Sequence, residues 1–253
     1  MAHLRLRQIC LVAPHLEPVV GDIAAILGLE VCYRDPNVAK YGLENALLPV
    51  DTTLLEVVAP VQPDTAAGRF LEKSHGHGGY MAIFACDNPD ERGRNAEAIG
   101  VRVVNVIDHP PYHGVQLHPG DCRGAIIEFN HTDGSDDIRG AYPPAGPDWE
   151  QSIRTDVTQA LIAVEMQSPD PDNLALHWSR IVGIPVSRDE HDRPHLALVN
   201  CRLDFVHGTT DAMTSLTFRV NDLAQVRDAA RSRGCPCGGD FFLLGGVTFH
   251  IVG

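Results

Sequence analysis

The chain has 253 residues, of which 44% are hydrophobic and 21% are charged, a composition typical of a folded globular protein and not of a disordered one. Its 20 Lys and Arg residues against 33 Asp and Glu residues give a net charge of −13. This charge argues against a nucleic-acid or anionic-membrane partner, because phosphate groups are bound by clustered cations.

The 7 Cys residues are odd in number and scattered, a pattern typical of free thiols in a reducing compartment rather than of a disulfide framework. The first apolar segment, residues 9–13, is short and is followed by Pro14. A secretory signal needs a longer apolar segment, and a membrane span needs about 20 residues. The sequence therefore predicts a cytoplasmic protein.

A strand followed by a capped helix that ends at Gly recurs four times in chain order. The residue after a helix often needs a positive φ, which Gly adopts without strain. The six residues 26–31 (ILGLEV) also resemble residues 181–186 (IVGIPV). The predicted strands are 9–13, 81–86, 160–166 and 216–220, and their helices begin at Leu16, Asn88, Asp170 and Asp222 and end at Gly28, Gly100, Gly183 and Gly234.

Two of these helices begin with a clear capping sequence. Asn88 precedes Pro89, and Glu91 follows three residues after Asn88, as a capping box requires. Asp222 and Gln225 have the same spacing at the start of the last helix. These positions predict helix starts independently of hydrophobic periodicity.

Apolar segments with turn residues follow each helix and predict antiparallel strands. The clearest are 47–58, 115–117, 125–129, 196–206 and 246–252. The repeating module is therefore β-α-β-β-β, roughly 50–70 residues long, and four modules in tandem fill an α+β chain.

Pro, Gly, Asp and Ser are concentrated between the second and third modules, in residues 131–148. Such a composition is typical of a linker. We therefore predict an N-terminal domain over 1–134, a linker over 135–152 and a C-terminal domain over 153–253. Each domain would hold two modules, with shorter modules in the second.

The paired β-α-β-β-β module resembles the vicinal oxygen chelate superfamily, which includes glyoxalase I, methylmalonyl-CoA epimerase, extradiol dioxygenases and bleomycin-resistance proteins. The similarity covers nearly the whole chain and is most specific in 80–103 and in 117–129. The second stretch contains an epimerase-like His-Pro turn followed by a Gly-apolar-Glu strand. The resemblance implies two glyoxalase-like domains whose curved mixed sheets surround a cleft.

Metal-dependent members of this superfamily take ligands from the first and last strands of paired modules. On this chain the matching positions are Gln8, Glu56 and Glu128, which resemble three of the four ligands of glyoxalase I-like sites. The resemblance thus implies a divalent ion, Zn, Ni, Mn or Fe, bound by oxygen-rich side chains. The fourth position departs from the pattern, because it holds Met81 where those enzymes have His.

Two alternatives follow from this departure. In the first, His77 or His75 from the Gly-rich segment before residue 80 supplies the missing ligand. In the second, the site is free of metal and uses Glu56 and Glu128 as an acid–base pair.

The C-terminal half matches less well. Extradiol dioxygenases hold Fe(II) there with two His and one carboxylate, whereas the matching positions on this chain are Gln159, Asp204, Ser215 and His250. Extradiol cleavage is therefore disfavoured, and the second half is expected to be a structural or lid half.

The candidate carboxylates lie on apolar strands. Glu56 shares a strand face with Leu54 and Val58, and Glu128 shares one with Ile126. Burial of an unpartnered carboxylate is costly, so either side chain would need a metal ion, a base or a substrate. The alternative for each is an outward, solvated side chain.

Three further side chains are candidates for substrate contact. Tyr80 lies next to the position of the missing ligand and is otherwise a packed aromatic. His113 follows Pro110-Pro111-Tyr112, where we expect a loop. His118 belongs to the His-Pro-Gly-Asp sequence and would otherwise only form a turn.

Two classes of function remain. The first is an enzyme of isomerase, epimerase or lyase type, in which Glu128 abstracts a proton alpha to a carbonyl of a small oxygen-rich substrate. Gln8 and Glu56, with a divalent ion if one is bound, would stabilise the enediolate. The second is a non-catalytic protein that sequesters a small molecule. Either would act as a monomer or homodimer without nucleic acid or membrane.

Overall fold

The structure is a computed structural model that describes residues 4–134 and 137–253. The first three residues of the predicted N-terminal domain and the first two of the predicted linker, 135 and 136, lie outside the described residues. No helix in the described part of the chain is long and apolar enough to cross a bilayer.

The described residues form the four predicted strand–helix pairs in chain order, with further strands and helices between them. In chain order these are β1 (Leu4–Val12), α1 (Val19–Leu27), β2 (Leu43–Val50), β3 (Thr53–Pro60), α2 (Ala66–Lys73), β4 (Gly79–Cys86), α3 (Pro89–Ala98), β5 (Val103–His109), β6 (Tyr112–Leu117), α4 (Pro119–Cys122), β7 (Ile126–Thr132), β8 (Thr158–Ser168), α5 (Pro171–Val182), β9 (Val186–Arg188), β10 (Pro194–Ala197), β11 (Arg202–His207), β12 (Ala212–Val220), α6 (Leu223–Ser232), β13 (Phe241–Leu244) and β14 (Val247–Val252). Short 3₁₀ helices span Pro36–Tyr41, Pro143–Ala145 and Trp149–Ser152. The predicted α+β class is confirmed.

The chain divides into two compact units. Unit 1 contains the described residues of Met1–Arg7, Met81–Ala141 and Ala163–Met213. Unit 2 contains Gln8–Tyr80, Tyr142–Ile162 and Thr214–Gly253. Unit 1 thus holds the second and third modules, and unit 2 holds the first and fourth. The domain boundaries proposed from composition stay a prediction.

In unit 2, each module centres on a parallel strand pair. β1 pairs with β3 in parallel, and β2 pairs with β3 antiparallel. In the fourth module β12 pairs with β14 in parallel, and β13 pairs with β14 antiparallel. The remaining strand of each module is reduced to an isolated bridge, Tyr33 to Leu47 and Cys237 to Phe242. Helices α1 and α6 of this unit pack together.

Unit 1 contains the two complete modules. β4 pairs with β7 in parallel, and β7, β6 and β5 follow as antiparallel neighbours. β8 pairs with β11 in parallel, and β11, β10 and β9 are antiparallel neighbours. Helix α3 packs on α5, and Phe84 and Phe129 meet in the core with their ring centroids 6.0 Å apart.

The predicted helix caps are confirmed. The side chain of Asn88 accepts a hydrogen bond from the Glu91 amide, and that of Asp222 accepts from Ala224 and Gln225. Gly28 and Gly183 end α1 and α5 in the left-handed conformation. These features depend on residues close in sequence, which is why the sequence predicts them well.

Several element boundaries differ from the predictions. Helix α1 begins at Val19 rather than Leu16, because Pro18 takes the N-cap position. The segment 47–58 is a hairpin of two strands that turns at Asp51, which has a positive φ of 51°. Helix α2 and strand β13 were not predicted, because their segments are only eight and four residues long.

Candidate functional site

Glu56 lies at the centre of a buried hydrogen-bond network in unit 2. Its side chain comes from β3, and its partner in the parallel register with β1 is Cys10. Gln8 Nε2 donates to Glu56 Oε2 over 2.8 Å, and Asn45 Nδ2 donates to Oε1 over 2.6 Å. Tyr142 in turn donates to Gln8 Oε1 over 2.8 Å. We call these four side chains the Glu56 network.

The environment of Glu56 favours its protonated form. Burial is the largest influence and raises the pKa of the carboxyl group, while hydrogen bonds from Asn45, Cys10 and Gln8 act in the opposite direction. The carboxyl group is 7% exposed, so water does little to solvate its charge. The amide donors therefore replace solvent as its partners.

Tyr80 belongs to the same unit and stands near this network. Burial raises the pKa of its phenol, and Cys10 and Glu56 contribute electrostatically to that rise. Its ring packs edge-on against Phe70 of α2, with ring centroids 4.9 Å apart. Tyr80 is thus a packed aromatic beside Glu56, and its contact with a substrate stays a prediction.

The Glu56 network does not fit a metal centre as arranged. Both carboxylate oxygens of Glu56 accept amide N–H groups, and the carbonyl oxygen of Gln8 accepts the Tyr142 hydroxyl. Among residues 4–134 and 137–253, no group of three or more His, Cys, Asp or Glu side chains could hold a metal ion. The ligand set of Gln8, Glu56, Glu128 and His77 therefore stays a prediction, and no step proposed below uses a metal.

Glu128 lies in unit 1, on a second polar surface formed by β6 and β7. Directly opposite residues of antiparallel strands point to the same side of the sheet. Here Gln116 lies opposite Glu128, Gly114 opposite Asn130, and Tyr112 opposite Thr132. We call these six residues the Glu128 face.

The carboxylate of Glu128 is fixed by two hydrogen bonds. Tyr112 donates its hydroxyl to Oε1, and Gln116 Nε2 donates to Oε2 over 2.7 Å. Asn105 on β5 extends the chain of amides by donating to Gln116 Oε1 over 2.9 Å. Glu128 is 2% exposed, whereas Gln116 and Asn105 are half-buried, so the chain of hydrogen bonds runs from the outer strand to the buried carboxylate.

Gly114 lies directly beside the Tyr112–Glu128 hydrogen bond. A Cβ atom at Gly114 would lie 3.0 Å from the Tyr112 ring, 3.2 Å from Glu128 Oε1 and 3.4 Å from the Tyr112 hydroxyl. Any larger residue would therefore crowd the Tyr112–Glu128 hydrogen bond. The glycine thus lets the Tyr112 ring and the Glu128 carboxylate pack closely against the backbone of β6.

The two candidate histidines of unit 1 do not join the Glu128 face. His113 was expected on a loop, and this is wrong, because the β5–β6 hairpin is tight and His113 lies on β6 opposite Asp108. Alternation along β6 turns its ring to the other side of the sheet from Tyr112 and Gly114. There His113 Nε2 lies 2.9 Å from Asp90 Oδ1, and this hydrogen bond is the main cause of its raised pKa.

His118 caps the short helix α4. Its Nδ1 accepts the Gly120 amide at 3.2 Å and lies 3.1 Å from Arg102 Nη2. Arg102 also pairs with Asp121 at 2.7 Å, which lowers the pKa of that carboxyl group. The turn role expected for His118 is thus observed, and its substrate contact stays a prediction.

His77 lies in a segment of unit 2 whose glycines serve close backbone packing. The side chain of His77 is exposed. A Cβ atom at Gly78 would lie 2.0 Å from the carbonyl oxygen of Gly245, and one at Gly246 would lie 1.9 Å from that of Gly76. The Gly-rich segment 76–79 therefore meets the Gly245–Gly246 turn backbone to backbone.

The four C-terminal positions considered for Fe(II) are placed as follows. Asp204 in unit 1 pairs with Arg202 at 2.6 Å. In unit 2, Gln159 is exposed and donates to Asn221, Ser215 is buried, and His250 packs against the Phe241 ring with centroids 5.9 Å apart. None of the four belongs to a group of His, Cys, Asp or Glu, in the described part of the chain, that could hold a metal.

Sequence reasoning selected Gln8 but missed the other donors of the two hydrogen-bond networks. Asn45, Tyr142, Tyr112 and Gln116 each donate a hydrogen bond within one of the two networks. The only local signal was their alternation with apolar residues on a strand, which holds for Asn45, Tyr112 and Gln116. Tyr142 lies in the segment interpreted as a linker and gave no signal.

Solved structures of similar fold cover most of this chain. A hypothetical protein from Staphylococcus aureus is 13% identical, with 98% of each chain covered and a TM-score of 0.68. The Mn(II)-bound glyoxalase from Novosphingobium aromaticivorans is 14% identical, with 99% of this chain and 82% of that chain covered and a TM-score of 0.65.

A triple mutant of 4-hydroxymandelate synthase from Streptomyces coelicolor is also 14% identical, with 93% of this chain and 76% of that chain covered and a TM-score of 0.65. The glyoxalase and the synthase have the vicinal oxygen chelate fold. No protein-family model and no curated protein matches the sequence. At these identities the comparisons show the fold alone, and this chain has the glyoxalase-like α+β fold.

Proposed function

We propose that the protein is an enzyme of isomerase, epimerase or lyase type that acts on a small oxygen-rich substrate, with Glu128 as the base. The observation that carries this proposal is the buried Glu128 carboxylate, which Tyr112 and Gln116 hold in one orientation by hydrogen bonds to its two oxygens. A fixed carboxylate suits proton abstraction, because the reacting carbon must come within about 3–3.5 Å of the base.

The proposed step needs no oxidant or reductant. Glu128 takes a proton from the carbon next to a carbonyl, and the electron pair of the broken C–H bond moves onto the carbonyl oxygen. A carboxylate oxygen accepts more than one hydrogen bond, so Oε1 can take this proton while Tyr112 stays bound. Return of the proton to the former carbonyl carbon gives an isomer, and its return to the opposite face of the same carbon gives an epimer. Loss of a leaving group from the neighbouring carbon gives the product of a lyase.

Gln116 and Tyr112 are positioning residues in this scheme. Their two donor groups hold the carboxylate in one orientation and replace the water that burial removes. The Glu56 network is not needed for this step. The roles first expected for Gln8, Glu56 and a divalent ion at an enediolate stay predictions and are not used in this step.

Substrate search and mutation together test the proposal. Small hydroxy-carbonyl and acyl-CoA compounds are screened for a rise in melting temperature, since a ligand that binds the folded state stabilises it. Compounds that bind are then assayed for turnover by the wild type and by Glu128→Gln. Gln fits the same space, because the Tyr112 hydroxyl can accept as well as donate a hydrogen bond.

We expect Glu128→Gln to lose about 10²- to 10⁴-fold in kcat while the ligand-induced rise in melting temperature persists. The matched control is Glu97→Gln on the exposed side of α3, which should leave kcat unchanged. Undiminished turnover by Glu128→Gln would show that the base is another group.

The second candidate function is non-catalytic binding of a small molecule. It is favoured by the Glu56 network, because the buried carboxylate of the first module is held by two amide donors and serves the packing of unit 2. Compounds that raise the melting temperature but are never converted, by the wild type as by Glu128→Gln, would support binding over catalysis.

A further inference from the structure

Glu128 shares its side of β7 with two polar side chains that each have a buried polar atom without a hydrogen-bond partner in the described part of the chain. Residues 128, 130 and 132 alternate along the strand and point to the same side of the sheet. Asn130 is 1% exposed and Thr132 is 2% exposed. Within residues 4–134 and 137–253, neither Asn130 Nδ2 nor Thr132 Oγ1 has a hydrogen-bond partner.

Unpartnered polar groups at this depth lower the stability of the folded chain. Nearly all buried polar atoms in proteins are paired, so two unpaired atoms on adjacent positions of one strand face require an explanation. Violations of this kind are concentrated at sites whose role is to bind something else. The Glu128 face therefore has donors in excess of what the fold uses.

The residues around Asn130 are small. Its neighbour on β6 is Gly114, and its neighbour on β4 is Ala85. Glu128, two residues earlier, has the larger Gln116 and Ile83 at the same positions. Gly114 and Ala85 thus place less side-chain bulk beside Asn130 than Gln116 and Ile83 place beside Glu128.

We propose that Asn130 and Thr132 bind the carbonyl or carboxylate oxygen of the substrate whose neighbouring carbon Glu128 deprotonates. This inference rests on the proposed function of Glu128. An amide N–H can only donate, so its partner on the ligand must be an acceptor oxygen. Residues two apart on a strand are roughly 7 Å apart, a distance that one small carbonyl unit bridges between a base and a donor.

The role of Asn130 is then catalytic. When Glu128 takes the proton, the electron pair moves to the carbonyl oxygen, which becomes negative. A fixed amide donor aimed at that oxygen stabilises the developing charge, and no reorganisation of water is needed in a buried site. Thr132 can donate a second hydrogen bond to the same oxygen.

The test uses Asn130→Leu and Thr132→Val, which keep the approximate size of each side chain and remove its polar group. The readouts are kcat/KM with a compound found in the screen and the melting temperature without ligand. We expect each variant to lose about 100-fold in kcat/KM, the effect of removing one donor to such an oxygen. We expect an unchanged or higher melting temperature, because an unsatisfied group has been removed.

Thr158→Val is the matched control. Thr158 is a fully buried Thr whose hydroxyl donates to the Leu27 carbonyl oxygen over 2.7 Å. Its replacement should lower the melting temperature and leave kcat/KM unchanged. The comparison distinguishes the Thr158 hydroxyl, which is hydrogen-bonded within the fold, from the Thr132 hydroxyl, which is not bonded to any described residue.

The value of kcat/KM decides between the outcomes. A fall in both variants supports the proposal, and unchanged values overturn it, whatever happens to the melting temperature. Unchanged values together with an inactive Glu128→Gln would overturn this assignment and leave the proposed base intact. In a further outcome, Glu128→Gln keeps turnover while Asn130→Leu loses the ligand-induced rise in melting temperature. This outcome would refute Glu128 as the base and keep the binding role of Asn130.

Discussion

Gln8 and Glu56 are joined by a 2.8 Å hydrogen bond between two buried strands, with Tyr142 donating to the same amide from the opposite end. One glutamine therefore satisfies a carboxylate 48 residues away and a phenol 134 residues away. The arrangement ties Tyr142, from the segment interpreted as a linker, to the strands of the first module. Its effect within unit 2 is structural as well as electrostatic.

Replacement of Gln8 by Leu should destabilise the protein. The change removes a donor from Glu56 and the acceptor of Tyr142, and unsatisfied buried groups cost about 1–3 kcal/mol each. We expect a loss of about 2 kcal/mol or more in the free energy of unfolding, measured with urea. Gln159→Leu, on the exposed side of β8, is the control and should change it by less than about 0.5 kcal/mol. Equal values for the two variants would contradict a structural role for the network.

The His113–Asp90 pair should make stability fall as pH rises above neutral. The hydrogen bond to Asp90 raises the pKa of His113 from 6.5, so the folded chain holds this proton more tightly than the unfolded chain. Its contribution is present in full below pH 6.5 and is lost as the pH passes the raised pKa. Because Asp90 is 57% exposed, we expect less than about 1 kcal/mol.

The measurement compares unfolding of the wild type and Asp90→Asn between pH 5 and pH 9, a range of about two units on either side of an ordinary His pKa. The difference between the two proteins should shrink as the pH rises. A difference that grows with pH would mean that another group dominates, since Asp108 is the other carboxylate near this ring, at 3.6 Å.

Gly78→Ala should be among the more damaging single-methyl additions in unit 2. The new Cβ would lie 2.0 Å from the Gly245 carbonyl oxygen, and neither backbone can yield without moving a strand end. Such overpacking costs about 1–3 kcal/mol. Gly239→Ala adds the same methyl group where no atom lies within 4 Å, and its melting temperature should stay close to that of the wild type. A neutral Gly78→Ala would show that the two turns are further apart in solution.

Removal of metal should not change activity or stability. The oxygens of Gln8 and Glu56 are already hydrogen-bonded, and the described residues offer no group of three His, Cys, Asp or Glu to a metal ion. Dialysis against a chelator should leave kcat and the melting temperature as they were. Elemental analysis that finds about one equivalent of Zn, Ni, Mn or Fe, lost together with activity, would instead support the ligand set implied by the resemblance.

Local interactions account for the part of the fold that could be predicted. The Asn88 cap and the left-handed Gly28 and Gly183 depend on atoms within a few residues of each other, and each was found where expected. The order of strands and helices follows from the same signals repeated four times. The start of α1 was missed because Pro18 takes its N-cap position, and α2 was missed because its apolar stripe is too short to stand out.

The candidate site depended on strand register. Glu56 and Glu128 could be selected from the sequence as carboxylates on apolar strands. Tyr112, Gln116 and Asn130 could not, because only the pairing of β6 with β7 places them on the same side of the sheet as Glu128. A shift of one residue in that pairing would turn each of them to the other side of the sheet. His113 shows this directly, since it lies next to Tyr112 in sequence and faces Asp90 instead of Glu128.

The sequence by itself determined the α+β class, the four modules and the two acidic side chains on which the chemistry could depend, because helix ends, strand periodicity and residue type are local properties. Only the tertiary structure decided which groups surround each carboxylate. It gave each carboxylate two hydrogen-bond donors, and beside Glu128 it also placed a glycine and two side chains with a polar atom that the described residues leave unsatisfied. That difference arises from contacts across strands, which no short segment of the chain encodes.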